Sequence, residues 1–81
     1  MRDPRVDPRP GDAIGHSLTK YIRKDAWSIR ECAHLNGENV IYKYRRKFSG
    51  EYDPGKDRIE SCVLPSWRKW AQDAEVLHVA E

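Results

Sequence analysis

The feature that most constrains this chain is a two-residue alternation interrupted by one turn. Between residues 27 and 35, Trp27, Ile29, Ala33 and Leu35 fall on one face of an extended segment. Ser28, Arg30, Cys32 and His34 fall on the other, with Glu31 interrupting the apolar face. Asn36-Gly37-Glu38-Asn39 follows and carries the Asn-Gly signal of a tight hairpin, because glycine reaches the positive φ that such turns require. Val40, Tyr42 and Tyr44 then alternate with Ile41, Lys43 and Arg45 as the returning strand. A hairpin over residues 27–45 commits the chain to an antiparallel sheet, since a helix would place every third or fourth residue on one face instead.

Other elements are read around it. Residues 17–23 place Leu18 and Ile22 on one face with Tyr21 across, a shorter preceding strand. Residues 47–57 are polar and contain Ser49-Gly50 and Asp53-Pro54-Gly55, so they read as a loop. Residues 58–64 return to strand, with Ile59, Ser61 and Val63 on one face and Cys62 and Leu64 on the other. Pro65 suits the first turn of a helix, where its missing N–H is not needed. Trp67, Trp70, Ala71 and Ala74 then share a face, opposite Arg68, Lys69, Gln72 and Asp73. Residues 75–79 supply a closing strand. The fold class is mainly β, a small SH3-like barrel of about five strands with one short helix, about residues 65–74, before the last strand. The alternative is an OB-like barrel, whose helix sits between the third and fourth strands and whose strands are longer.

Size narrows the choice further. Eighty-one residues make one small domain, which excludes a TIM barrel or a full Rossmann domain. Its thin core must be filled by large residues, and three Trp, four Tyr and one Phe supply much of that volume. Residues 1–10 hold three of the five prolines, alternate Arg2, Arg5 and Arg9 with Asp3 and Asp7, and have Val6 as their one apolar residue after Met1. They read as a flexible Pro-rich arm, with the folded domain at 11–81. Two cysteines are too few for a disulfide framework, and the chain shows neither an apolar leader nor a membrane-length run, so a cytoplasmic protein is expected.

The opening Asp3-Pro4-Arg5-Val6-Asp7-Pro8-Arg9-Pro10-Gly11-Asp12 and the later Ser61-Cys62-Val63-Leu64-Pro65-Ser66-Trp67-Arg68-Lys69-Trp70-Ala71 together resemble a group of very short bacteriophage and prophage proteins. These combine a DPR…PGD start with an S…L..W..W ending. The resemblance covers the two ends and, loosely, the strands between them. It implies a phage or prophage origin and expression inside a bacterial host, and it implies no activity, since none is common to the group. Residues 16–26 and 47–57 are longer than the pattern.

Chemistry-bearing constellations are sparse. Residues 50–56 fit GxxxxGK, but Asp57 stands where a phosphate-binding loop needs Ser or Thr, and Glu51 and Asp53 would repel phosphate, so the segment reads as an acidic turn. Cys32, His34, Cys62 and His78 lack the close ligand pairs of a zinc site. A Cys32–Cys62 disulfide would require neighbouring strands. No segment sets a nucleophile beside a base and an oxyanion donor, and no cofactor is implied.

Charge is more informative. The net charge is only +2, yet Lys43, Arg45, Arg46 and Lys47 cluster on one strand with Tyr42, Tyr44 and Phe48 interleaved. Lys20, Arg23, Lys24, Lys56 and Arg58 flank them, while Asp73, Glu75 and Glu81 lie at the other end. The expected function is a non-catalytic phage-type binding module that meets a host or phage protein through Trp67, Trp70 and Arg68, because exposed Trp and Arg anchor interfaces. The alternative is nucleic-acid binding through Lys43, Tyr44, Arg45, Arg46, Lys47, Phe48, Lys56 and Arg58, the cations gripping phosphates and the rings stacking on bases. Plain alternation also accounts for Tyr42 and Tyr44 as core residues without any ligand.

Overall fold

The computed structural model describes residues 2–17, 27–48, 51–52 and 58–80, with the backbone alone for 46–48 and 51–52. Its elements are β1 (Ala13–Ser17), β2 (Trp27–Asn36), β3 (Asn39–Phe48), β4 (Glu51–Tyr52), β5 (Arg58–Val63), α1 (Leu64–Ala71) and β6 (Glu75–His78). The strands form one antiparallel sheet in the order β4-β3-β2-β1-β6, with β5 also on β3. The protein is thus a small, mainly β, barrel-like domain whose short helix precedes the last strand.

The hairpin forms where the alternation requires it. Asn36 pairs with Asn39, so Gly37 and Glu38 make the turn. Gly37 takes φ 62°, a left-handed conformation that costs an L-residue about 1–2 kcal/mol. Cys32 faces Tyr42 while His34 faces Ile41, which leaves Ala33 as the extra residue of a bulge. β3 runs on to Phe48 and pairs with β4, so part of the expected loop over 47–57 is strand. Residues 49–50 and 53–57 lie outside the described residues.

Tertiary pairing, not local hydropathy, chose the inner face of β2. Val40 and Tyr42 are buried and Tyr44 packs against the core. Directly opposed residues share a face, so the pairs Cys32↔Tyr42 and Arg30↔Tyr44 carry Cys32 and Arg30 inward with them. Ser28 is also buried and donates to the Tyr44 hydroxyl at 3.0 Å. The apolar-looking Trp27 and Ile29 are left half-exposed on the outer side, and Leu35 is exposed. Arg30 tolerates its position because its guanidinium lies 4.1 Å from the Trp70 ring centroid and 4.4 Å from that of Tyr42.

β1 precedes the hairpin at Ala13–Ser17; of the strand expected at 17–23 only Ser17 falls in it, and the rest lies, with residues 24–26, outside the described residues. Ile14 anchors β1 in the core, and Gly15 permits its close approach to β2. A Cβ on Gly15 would stand 2.9 Å from the Ser28 carbonyl oxygen. The helix begins one residue before the expected 65–74 span and ends earlier, at Ala71. Its exit is tightened by the Ala74 N–H donating to the Ala71 carbonyl at 2.9 Å. Pro65 occupies its first turn, and Trp67 and Ala71 point into the core with Ala74 just beyond. Tyr42 meets Trp67 edge to face at 5.7 Å between ring centroids.

The N-terminal arm expected to be loose is docked over residues 2–10. Pro4 and Pro8 are fully buried, and the Trp67 Nε1–H donates to the Pro4 carbonyl at 3.0 Å. Arg68 Nε donates to the Val6 carbonyl at 2.9 Å. Asp12 is the second anchor: its fully buried carboxylate takes both Nη groups of Arg2, the Arg9 N–H at 2.8 Å and the Ala80 N–H at 2.7 Å. Burial pushes the Asp12 carboxyl up, but the bonds from Arg2, Ala80 and Arg9 outweigh it and hold the group below its ordinary value. The arm has little apolar surface of its own. It is ordered by an indole and a carboxylate that the folded domain supplies.

Candidate binding surface

Because β3 is central, the register maps its outer face onto its neighbours. Glu31, Lys43 and Ile59 form one row across β2, β3 and β5, and Ile29 and Arg45 form the next. Ile41 faces Ser61 and Asn39 faces Val63. Across β1, the side chains of Ile29 and Leu77 close over Gly15. The result is a surface of aliphatic side chains interleaved with charge. Ile59 is 64% exposed, Val63 46% and Leu77 42%, while Glu31 and Arg45 pair at 3.1 Å.

The candidate residues separate on this map. Lys43 stands on the outer face between Glu31 and Ile59. Arg45 is on that face too, in its ion pair. Tyr44 faces the core side, so its ring is not free to stack on a base from the outer face. Arg58 is exposed but opposes Tyr44, which places it on the other side of the sheet from Lys43. Arg46, Lys47 and Phe48 are β3 positions whose side chains lie outside the described residues, as do Lys56, Lys20, Arg23 and Lys24. Lys47 does pair in register with Trp27, a half-buried aromatic on the outer side.

The helix residues sort differently. Trp67 is fully buried and cannot anchor a partner; a small core with few large side chains takes it first. Trp70 is half-buried between Arg30 and His16. The His16 ring stands 4.3 Å from it, edge on, and Nε2–H donates to the Trp70 carbonyl at 2.7 Å. Arg68 lies exposed on the helix with its Nε committed to Val6. Sequence reading missed Arg30 and Asp12, because a charged residue inside an alternating strand or beside a turn looks like any solvated one.

Both cysteines are free, for β3 lies between their strands. Burial, with the Asp12 charge adding to it, pushes the Cys32 thiol up to about 11, and burial also raises the Cys62 thiol against the opposing Arg30 guanidinium. Among the described residues, no three His, Cys, Asp or Glu side chains come together to hold a metal, and no helix is long and apolar enough to cross a membrane. The GxxxxGK-like segment falls largely outside the described residues. No protein-family model matches the chain, and no curated protein or solved structure does either.

Proposed function

We propose that this chain is a non-catalytic binding module of phage or prophage type, acting in the cytoplasm of a bacterial host, and that it engages a protein through the outer face of its sheet. The observation that carries this reading is the exposure of Ile59 and Val63 beside Lys43 and the Arg45–Glu31 pair. Solvated aliphatics ringed by charge suit a protein surface of the same kind, with the apolar contact supplying affinity and the charges orientation.

A second reading rests on one observation. Trp27 lies half-buried on the same outer side as Lys43 and Arg45, so a base could stack there rather than on Tyr44.

One set of measurements separates them. The purified chain captures a partner from bacterial extract at physiological salt; the partner is identified, made recombinantly and titrated against wild type and Ile59→Glu. The protein reading expects at least a tenfold loss for Ile59→Glu with an unchanged melting temperature. Binding to mixed-sequence DNA or RNA that weakens steeply with salt, falls with Trp27→Ala and ignores Ile59→Glu would replace it with the nucleic-acid reading.

A further inference from the structure

Among the described residues, β5 is hydrogen-bonded on one side only, to β3. Five of its six residues are exposed, the exception being Cys62, which is half-buried. It is an edge strand with Ile59, Ser61 and Val63 alternating on its outer face and with no proline or bulge within its span. A strand of this kind leaves a row of main-chain donors and acceptors ready to accept another strand.

We propose that this edge pairs with β5 of a second copy of the chain, giving a two-fold dimer with a continuous sheet. The occupant follows from the register. In an antiparallel pair about a two-fold axis normal to the sheet, each residue faces one of the same parity in the other copy. Only two such registers keep five of the six residues paired. Centred on Glu60, the pairing sets Glu60 against its own copy and Ile59 against Ser61, so like charges meet and the apolar residue faces a hydroxyl. Centred on Ser61, it sets Ile59 against Val63 twice and Ser61 against itself. That arrangement covers two of the most exposed aliphatic side chains and opposes no like charges directly.

The contact runs along the strand edge but covers Ile59 and Val63, on which the partner reading above also rests. Partner titration at concentrations where the chain is monomeric and self-association of the chain alone are separate readouts, so each can fail without the other. Five paired residues a side are few against the roughly 20–30 of a standard interface, which places dissociation at about 10 µM to 1 mM.

Sedimentation velocity of the full chain from about 10 µM to 1 mM should show a reversible monomer–dimer equilibrium. Ser61→Lys places two ammonium groups face to face and should hold the chain monomeric throughout that range, with its melting temperature in dilute solution unchanged. Ser61→Cys should cross-link under mild oxidation at least tenfold faster than Gln72→Cys on the exposed helix end, and peptide mass spectrometry should find the 61–61 bond. A chain monomeric at 1 mM, a dimer indifferent to Ser61→Lys, or cross-linking at 61 no faster than at 72 would each overturn the proposal.

Discussion

Replacing Asp12 with alanine tests whether the N-terminal segment is part of the folded domain. The carboxylate accepts both Nη groups of Arg2, the Arg9 N–H at 2.8 Å and the Ala80 N–H at 2.7 Å, and it is fully buried. Alanine removes every acceptor and leaves two backbone donors and a guanidinium to find water. Hydrogen bonds to a charged group each contribute about 1.5–3 kcal/mol net. Alanine also relieves the desolvation of the carboxylate. Breaking one partner of a buried pair therefore costs about 3–5 kcal/mol. A domain of this length has a total stability on the order of 4–12 kcal/mol. With a urea slope of about 1 kcal/mol/M, the denaturation midpoint should fall by roughly 3–5 M, or the variant should be unfolded in buffer. Arg2→Ala should cost less in the Asp12→Ala background than in wild type, since the two changes share the Arg2–Asp12 bonds, while the Arg2 bonds to the Asp7 and Ala80 carbonyls are lost in either background. Native-state trypsin cleavage after Arg5 should accelerate in step. A variant within about 1 kcal/mol of wild type, with unchanged cleavage, would refute the reasoning that Asp12 fastens the arm.

Other outcomes follow from the same contacts. The folded-state pKa of Asp12 is depressed, so its contribution is fully present above the unfolded carboxyl value near 3.9 and is lost as pH falls through the folded value. Thermal melts between about pH 2 and 6 should show a steep acid limb that flattens in Asp12→Asn. Gly37→Ala should cost about 1–2 kcal/mol, because φ is 62° with open space around it, and Gly37→Asn should cost less; equal melting temperatures for all three would place the turn elsewhere. Cys32 is buried and its thiol raised to about 11, so a disulfide reagent near pH 8 should modify Cys62 first and Cys32 only after urea is added. Rapid native labelling of both thiols would contradict that packing.

Sequence by itself determined the local elements. Alternation from Val40 to Tyr44 and the glycine at 37 specify the hairpin, because side-chain period and turn conformation are properties of adjacent residues. Pro65 followed by Trp67, Trp70, Ala71 and Ala74 specifies the helix for the same reason, and with the closing strand these elements set the order of a small β domain. Only the tertiary structure decided which side of β2 is inner. The choice depends on a bulge at Ala33 and on pairing with Tyr42 and Tyr44, and Arg30 can be accommodated there only once Trp70 arrives from the helix. It also decided that Trp67 is core rather than contact, and that the residues around Pro4 and Pro8 are docked. Their partners are 63 residues away for the Pro4 carbonyl and 10 for the Arg2 guanidinium, and a composition rule that weighs the arm alone has no knowledge of either. The exposed Ile59 and Val63 are visible in the sequence as an alternating pair, but only the strand order shows that they lie at an edge, where the backbone beside them is unpaired within the described sheet.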